Sequence, residues 1–448
     1  MQRYDWNLHP QAEMLLSQKV QEFVSKMNPL ANIKESMFAW ASLRLFDWID
    51  HMVLPLASDI DTQLKAFGYE KGTNLEAPDD TDVLIHPNAI FFPILLSNES
   101  YHEIALKPEN LDHFVQMTGK GHHIEGGKNS SFRRSVIHAE GIYTLSAVER
   151  RGYSGFLVHD SDDVRNYNLL LDRFSTRTRQ FVTDEEGISL TMNIVSDAVS
   201  IMNKSRVADA FFKAERRYWE SRDWAGQVQR NRQDRLGLGW GNHDHHTYRS
   251  SRNNFATLIS IFEKLGFETR EQFFAGTQAG WGAQVLEHPV CNIVIFADVD
   301  ISEEERGTNF ARKSMTHLED LGTVGMWVSL HGEGMLQGGL HHLAARVHYE
   351  NTREMLPKFC AAAIRPFSYF DFLKQSFTES ERRMVDPSRV SVLLQNGVLS
   401  EKGGEMFLDK GAIGSHLEII ERRQGFKGFN QDSVTAIIQA TDPRKGND

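Results

Sequence analysis

Three short segments in the second half of the chain carry residues that commonly bind metal ions. They are His243-Asp244-His245-His246, Leu340-His341-His342-Leu343 and His416-Leu417-Glu418-Ile419-Ile420. Two histidines and one carboxylate, brought together from separate strands, form the facial arrangement of non-haem Fe(II) oxygenases, which leaves coordination positions open for substrate and O2. If the three segments converge in the fold, the protein is expected to be a metalloenzyme.

The first histidine ligand depends on the register of the strand that carries it. Side chains alternate between the two faces of a strand. An inward His245 brings Thr247 and Arg249 to the same face, whereas an inward His246 would exchange the arginine for a tyrosine. We favour His245, with Asp244 and His246 on the other face, where either can orient a ligand imidazole. On the sequence alone the choice between the two histidines stays open.

The other two segments follow the same rule. An inward His342 brings Arg346 to its face, and an inward Glu418 brings Arg422 to its own. A carboxylate in the middle of an apolar strand needs a partner if it is to be buried. Glu418 is therefore the residue in these segments that most needs an explanation such as metal binding.

Other potential ligands have an ordinary interpretation. The chain has 19 histidines, and a single histidine is more often a surface or hydrogen-bonded core residue than a ligand. We expect no metal site at His102-Glu103 or His122-His123. Cys291 and Cys360 are the two cysteines, which indicates neither a disulfide framework nor a thiolate metal site.

Length and composition limit the class of protein. A chain of 448 residues exceeds a single hydrophobic core, which predicts two domains or repeated modules. Its 40% hydrophobic and 24% charged residues are typical of a globular protein. A net charge of -11 argues against general binding to nucleic acid or to an anionic membrane. With neither a long apolar span nor a signal-peptide core, the expected location is cytoplasmic.

The hydrophobic pattern predicts an α+β protein with two parts. Residues 1–235 read as a mixed α/β domain, and a glycine-rich break at 236–241 precedes a metal-binding domain over 240–448. Within it, residues 240–325 predict the order strand, helix and three strands. A second copy is expected over 335–448, and its segments are a strand at 339–347, a helix at 352–363 and strands at 390–394, 405–408 and 416–420.

These segments resemble the vicinal oxygen chelate superfamily, whose paired βαβββ modules fold into a cup around one divalent metal. The resemblance covers about residues 240–445. One branch is 4-hydroxyphenylpyruvate dioxygenase. Gly339–Ala344 resembles the segment of its second metal histidine, and His416–Arg423 resembles the segment of its metal glutamate. The residues after Gly428-Phe429 resemble its gating helix. Another, the 2-oxoadipate dioxygenase/decarboxylase family, is similar to Asp244–Ser250, Leu265-Gly266-Phe267 and Glu287-His288-Pro289.

The resemblance implies roles for particular residues. It implies that His245, His342 and Glu418 bind Fe(2+), or alternatively Zn2+, Ni2+ or Mn2+, and that Arg249 grips a distal substrate carboxylate. Arg346 and Glu405 are further candidates on the open side of the metal, and residues 431–439 are a candidate lid. Glu405-Met406-Phe407 stands where the hydroxyphenylpyruvate enzymes have a substrate-contacting glutamine before an Ile-Phe pair, so hydroxyphenylpyruvate is not the expected substrate.

The leading hypothesis is an Fe(II)-dependent dioxygenase that acts on a 2-oxo acid by oxidative decarboxylation and hydroxylation, with a 2-oxoadipate-like substrate favoured. The expected partners are that small molecule and O2, without nucleic acid or membrane, and the oligomeric state stays open. The alternatives are a metal-dependent isomerase or lyase of the glyoxalase type and a metal-free binding protein on the same fold. Residues 1–235 are either a degenerate, metal-free module pair or an unrelated domain.

Overall fold

Two mixed β-sheets joined by a run of helices form the computed structural model, which describes residues 6–119, 122–159, 164–274, 280–305, 307–313, 315, 318, 320–430 and 441–444. Apolar side chains from both halves pack into one continuous core on one face of each sheet, among them Met52, Phe212, Tyr248 and Leu417. We call this the outer face, and the opposite one the inner face. The inner faces carry the buried polar and charged residues with which the site is built.

The amino-terminal sheet and its helices come first in chain order. They are α1 (Pro10–Lys26), α2 (Asn28–Ala41), β1 (Ile49–Pro55), α3 (Ser58–Ala66), β2 (Glu70–Lys71), β3 (Thr81–Ile85), β4 (Ile94–Ser97), β5 (His102–Leu106), α4 (Leu111–Met117), β6 (Phe132–Glu140) and β7 (Tyr143–Arg150). The linking helices are α5 (Val164–Thr176), α6 (Asp184–Ile201), α7 (Lys204–Glu220) and α8 (Trp224–Asp234). Side-chain caps begin three of them, because Thr183 accepts from the Glu186 amide, Asn203 from the Ser205 amide and Asp223 from the Gly226 amide.

The carboxyl-terminal sheet follows. Its elements are β8 (His243–Arg249), α9 (Phe255–Lys264), β9 (Glu268–Phe274), β10 (Trp281–His288), β11 (Ile293–Asp300), α10 (Thr323–His331), β12 (His342–Arg346), α11 (Tyr349–Met355), β13 (Ser368–Phe370), β14 (Leu373–Phe377), β15 (Glu381–Arg383), α12 (Pro387–Gln395), α13 (Glu401–Lys410) and β16 (Ala412–Arg422). The order of β8, α9, β9, β10 and β11 confirms the strand, helix and three strands predicted for the first module.

Both sheets are built on the same pairing pattern. The amino-terminal order is β2-β3-β4-β1-β5-β7-β6, and the carboxyl-terminal order is β13-β14-β16-β12-β8-β11-β10-β9 with β15 also on β16. In each sheet the two modules meet at an antiparallel pair, β1 with β5 and β8 with β12. Each of these strands has a parallel partner on its other side: β4 and β7, then β11 and β16. The paired-module fold is confirmed, and the amino-terminal half repeats its topology.

The second carboxyl-terminal module differs from the prediction in its middle. Residues 390–394 and 405–408, predicted as strands, lie in helices α12 and α13, and the strands that complete the module are β13 and β14. Local capping explains both helices. The Asp386 side chain accepts from the Ser388 amide with Pro387 in the first turn, and the Ser400 side chain accepts from the Gly403 amide.

The helix predicted at 352–363 begins and ends earlier than expected. Its α-helical part is α11, and residues Leu356–Phe359 continue as a 3-10 turn. Pro357 has no backbone N–H to donate, so it cannot continue the hydrogen bonding of the α-helix. Cys360 then closes the turn with a positive φ of 56°. Among the described residues, no helix is long and apolar enough to span a membrane.

Candidate metal centre

Strand β8 places His245 on the inner face and His246 on the outer face. The His246 ring lies 5.2 Å from the Phe212 ring within the apolar core, and burial holds the pKa of His246 well below its usual value. Thr247 and Arg249 share the inner face with His245, as the favoured register predicts. Of the two histidines between which the sequence left the choice open, His245 is therefore the one on the inner face.

The three predicted ligands converge on the inner face. His245 Nε2 lies 3.1 Å from Glu418 Oε2, His342 Nε2 lies 3.2 Å from the same oxygen, and the two Nε2 atoms are 3.4 Å apart. They come from three adjacent strands, because β12 pairs with both β8 and β16. All three side chains are buried.

This spacing fits a small divalent metal. Ligand bonds of about 2.1 Å at angles of roughly 90 to 110° put donor atoms about 3.0 to 3.4 Å apart. The three observed separations match that range. Two imidazole nitrogens and one carboxylate oxygen are also the donor set of the facial triad. His245, His342 and Glu418 are thus the residues that would hold the ion.

Asp244 fixes the orientation of His245. Its Oδ2 lies 2.9 Å from His245 Nδ1, and its oxygens accept from Arg422 at 2.8 and 3.0 Å and from Arg346 at 2.8 Å. A bulge allows this contact: Ala344 pairs with His245 and Ala345 with His243, so Asp244 is skipped and turns inward. Asp244 therefore acts on its neighbour from the inner face rather than from the outer face that was predicted.

The charges around His245 decide its protonation in the metal-free protein. Burial disfavours the charged ring, but the Glu418 carboxylate and the hydrogen bond to Asp244 raise the pKa of His245 to about 9. Burial likewise opposes ionisation of Glu418, yet the two histidines hold its pKa well below the usual range. Without a metal, the centre is therefore a buried imidazolium–carboxylate pair.

Gln375 on β14 is a site residue that the sequence reasoning missed. Its Nε2 donates to Glu418 Oε1 at 2.8 Å, which leaves Oε2 for the metal. Its own Oε1 is buried without a hydrogen-bond partner among the described residues. The signal was present, because Gln375-Ser376-Phe377 is a glutamine two residues before a phenylalanine on an alternating strand.

Two of the predicted site residues have other positions. Glu405, expected at the counterpart of that glutamine, is exposed on α13, a helix rather than a strand, and this assignment is wrong. Arg346 does face the inner side, but its guanidinium is bound to Asp244. It supports the orientation of His245 rather than pointing to the open side of the centre. The proposed lid, 431–439, lies outside the described residues.

His342 is flanked by two further contacts. Thr247 Oγ1 lies 2.8 Å from its Nε2, and His341 Nδ1 lies 3.2 Å from its Nδ1. Burial lowers the pKa of His341 and of His416 well below the usual value, so both rings are neutral. If Nε2 binds a metal, His342 Nδ1 carries the proton and donates a hydrogen bond to His341 Nδ1. Ligand histidines commonly have such a hydrogen bond on their second nitrogen.

Arg249 marks the far end of the inner face. It is 2% exposed, and Nη2 donates to Thr441 Oγ1 at 3.0 Å, while Nε and Nη1 have no partner among the described residues. Its guanidinium carbon lies 5.7 Å from the Trp327 ring centroid. Burial lowers the pKa of Arg249 to about 10, which leaves it charged at neutral pH. Asp298 is its neighbour on β11.

Aromatic rings enclose the centre. The Phe296 and Phe429 rings lie 5.0 and 5.3 Å from the His245 ring, and 4.5 Å from each other. The Phe377 ring lies 5.1 Å from that of His342. These rings keep the surroundings of the three donor atoms apolar, so that polar contacts there are few and directed.

Comparison with known proteins gives weak matches, and these are to solved structures. No family model and no curated protein matches the sequence. A putative hydrolase from Shewanella frigidimarina is 15% identical, with 50% of this chain and 97% of that chain covered and a TM-score of 0.34. A mutant 4-hydroxymandelate synthase from Streptomyces coelicolor is 12% identical over 88% and 97% of the chains, with a TM-score of 0.26. Methylmalonyl-CoA epimerase from Mycobacterium tuberculosis is 12% identical over 41% and 88%, with a TM-score of 0.22.

These likenesses are too low to carry any functional conclusion, which has to come from the site. The fold class follows from the chain's own topology: paired βαβββ modules meeting at an antiparallel strand pair, with the three candidate ligands on adjacent strands. This is the fold of the vicinal oxygen chelate superfamily. The cluster of His245, His342 and Glu418 is a place in it that could hold a metal ion.

Proposed function

We propose that this protein is a non-haem Fe(II)-dependent dioxygenase that acts on a 2-oxo acid by oxidative decarboxylation and hydroxylation. The observation that carries the proposal is the convergence of His245 Nε2, His342 Nε2 and Glu418 Oε2 at separations of 3.1 to 3.4 Å. A bound Fe(2+) supplies open positions for a 2-oxo acid and for O2. Zn2+, Ni2+ and Mn2+ accept the same donor set.

Arg249 supports a substrate with a second carboxylate. It lies four residues beyond His245 on β8, about 13 Å along a strand that rises roughly 3.3 Å per residue. Its Nε and Nη1 have no hydrogen-bond partner among the described residues, so each can donate to a substrate carboxylate. A charged guanidinium that donates to a carboxylate both selects it and fixes its orientation. A 2-oxo dicarboxylic acid, of the 2-oxoadipate kind, would place its 2-oxo end at the triad and its distal end here.

The remaining side chains position the substrate and exclude water. Gln375 holds one oxygen of Glu418, and its own Oε1, which has no partner among the described residues, can accept from a substrate hydroxyl or a water. Phe296 and Phe429 shield the triad, and Trp327 lies against Arg249. Exclusion of water protects a reactive intermediate from unproductive reactions.

A metal-dependent isomerase of the glyoxalase type is the second candidate, and Asp298 is the observation that favours it. This carboxyl is buried on the inner face beside Arg249. Burial raises its pKa to about 7, although Arg249 and His245 oppose the shift. A general base with a pKa near neutrality is what abstraction of a proton next to a carbonyl requires.

Oxygen consumption separates the two candidates. Protein prepared without metal and reconstituted anaerobically with Fe(2+) is mixed with 2-oxoadipate, and O2 uptake and CO2 release are followed together. We expect both in equal amounts, and neither in the Glu418→Gln variant. A monocarboxylic acid of equal length, 2-oxohexanoate, should react less well because it lacks the group that Arg249 binds. Metal-dependent turnover of a 2-oxo carbonyl compound without O2 uptake would reject the dioxygenase and support the isomerase.

A further inference from the structure

The amino-terminal sheet repeats the backbone of the metal centre position by position. His51 pairs with Ala105 as His245 pairs with Ala344. The residue before each histidine is skipped in the pairing, so Asp50 lies in a bulge that matches the bulge at Asp244. Two bulges at equivalent positions of the same pairing pattern indicate that the two sites have a common architecture.

The side chains that support the histidine are repeated as well. Asp50 Oδ2 lies 2.7 Å from His51 Nδ1, and its two oxygens accept from Arg150 at 2.7 and 2.9 Å. Arg150 Nη1 also donates to the Tyr153 and Gly155 carbonyls. Arg422 does the same in the metal centre, with Asp244 and with the carbonyls of Phe426 and Gly428.

Even the aromatic cover has its counterpart. The Phe156 ring lies 5.0 Å from His51 and 4.8 Å from the Arg150 guanidinium carbon. The corresponding distances from Phe429 are 5.3 Å to His245 and 4.5 Å to Arg422. The scaffold around the first ligand is thus kept in both sheets.

The other two ligand positions have changed. Glu103 pairs with Val53 as His342 pairs with Thr247, and Ser146 pairs with Ala105 as Glu418 pairs with Ala344. The amino-terminal counterpart of the triad is therefore His51, Glu103 and Ser146. Glu103 thus has a carboxylate where His342 has an imidazole, and Ser146 has a hydroxyl where Glu418 has a carboxylate.

A guanidinium supplies positive charge at the altered site. Arg134 pairs with Val148 as Gln375 pairs with Ile420, so the two side chains hold equivalent positions. Arg134 donates to Glu103 through Nε at 3.1 Å and Nη2 at 2.8 Å, and its Nη1 lies 3.5 Å from Glu125. Ser146 Oγ also donates to Glu103. Glu103 is buried, so it needs such a partner.

We infer that the amino-terminal sheet carries a second copy of the metal centre in which the Arg134 guanidinium takes the place of the ion, and that replacing Arg134 and restoring a carboxylate at Ser146 opens a divalent-metal site there. His51, Glu103 and the restored carboxylate would form a facial set of one nitrogen and two oxygen donors, which suits divalent ions such as Mn2+, Fe(2+) or Zn2+. This goes beyond the proposed function, because it concerns the other half of the chain.

The same comparison indicates what the second copy lacks. Pro55 stands where Arg249 stands, and Ser97 where Asp298 stands, by the pairing of β1 with β4 and of β8 with β11. These two positions of the amino-terminal copy therefore carry no anchor for a distal carboxylate. An opened site there would bind metal without binding a 2-oxo dicarboxylic acid.

The test measures metal content in a chain whose carboxyl-terminal centre is disabled. Glu418→Gln protein is combined with Arg134→Gln and Ser146→Glu, loaded with Zn2+ or Co2+, freed of excess metal and analysed by mass spectrometry and, for Co2+, by its visible spectrum. We expect one ion per chain in the triple variant and none in Glu418→Gln alone. Ser146→Glu with Arg134 retained is the matched control, because its guanidinium still neutralises the carboxylates, and it should bind none. A folded triple variant that binds no ion overturns the inference.

A reciprocal variant covers the case in which the triple variant does not fold. Gln375→Arg puts a guanidinium beside Glu418 and should abolish metal binding at the carboxyl-terminal centre. Gln375→Met, of similar size and without charge, should weaken binding by no more than about 10- to 100-fold. Equal metal affinity in the two variants would contradict the inferred role of the guanidinium. Since neither readout uses turnover, the result is independent of whether the protein proves to be a dioxygenase.

Discussion

Asp244 and His245, neighbours on one strand, are joined by a 2.9 Å contact between the carboxylate Oδ2 and the ring Nδ1. Neighbours on a regular strand point to opposite faces, and the bulge at Asp244 is what brings both side chains to the inner one. The carboxylate keeps the proton on Nδ1 and leaves Nε2 to face the other ligands. Asp244→Asn should therefore lower metal affinity by about 10- to 100-fold, measured by competition with a chromophoric chelator.

Asp50→Asn is the control for that measurement. It makes the same change at the equivalent position of the amino-terminal sheet and should leave the metal affinity of the carboxyl-terminal centre unchanged. If the two variants lowered the affinity equally, the effect would be one of general stability, and the orienting role of Asp244 would be wrong.

Glu418→Gln should remove the metal site itself. The amide is a poor ligand for a divalent ion, and the two histidines alone form an incomplete set, so we expect an affinity loss of more than about 100-fold, beyond the effect of losing a supporting residue. Glu405→Gln is matched in chemistry but lies on an exposed helix. Metal content after dialysis should be lost in the first variant and kept in the second, and loss in the second would restore Glu405 as a site residue.

Metal binding should release a proton. Burial opposes the charged ring, but Glu418 and Asp244 raise the pKa of His245 to about 9 in the metal-free protein, so this histidine is protonated at pH 7. A metal requires the neutral ring. The deprotonation of His245 should therefore raise the metal affinity by about tenfold per pH unit up to pH 9, and this contribution should level off above it. Calorimetry in buffers of different ionisation enthalpy measures the proton directly, and binding at pH 7 without proton release would contradict this state.

Arg249→Met tests the distal carboxylate. Loss of a buried charge pair with the substrate should cost about 2 kcal/mol or more, which raises the KM for a 2-oxo dicarboxylic acid by roughly 30-fold. The KM for the monocarboxylic analogue and the metal content should change little. An equal rise for both acids would show that Arg249 supports the structure and does not bind the substrate.

Stability should depend on pH through the amino-terminal copy. Burial opposes ionisation of Asp50, but Arg150 and His51 hold its pKa well below the usual value, so its ion pair stabilises the fold wherever the unfolded carboxyl would be ionised. Asp50→Asn should lower the free energy of unfolding by about 3 to 5 kcal/mol at pH 7. Below about pH 4 the difference in the free energy of unfolding between the variant and the wild type should shrink by roughly 1.4 kcal/mol per pH unit. Urea unfolding at several pH values measures this, and a constant difference would contradict it.

The sequence by itself indicated the main members of the candidate metal centre, although it left the choice between His245 and His246 open. His245, Thr247 and Arg249 share a face because strand side chains alternate, and β8 is a strand. Glu418 stood out because a carboxylate in an apolar strand needs a partner. The first module was predicted in full, since its helix α9 and its strands have clear and different hydrophobic periods.

Other features were decided by tertiary structure alone. Capping residues favour helices α12 and α13 at two short apolar runs that the sequence pattern predicted as strands. The side chain beside Glu418 is therefore that of Gln375 and not that of Glu405. A bulge does not show in a hydrophobic pattern, and without it neither the link from Asp244 to His245 nor its twin at Asp50 could be foreseen. The partners of Arg346 and Arg134 lie on other strands far along the chain. Alternation fixes which face a side chain occupies, but the register between strands fixes what it meets there, and that register is set only when the whole sheet packs.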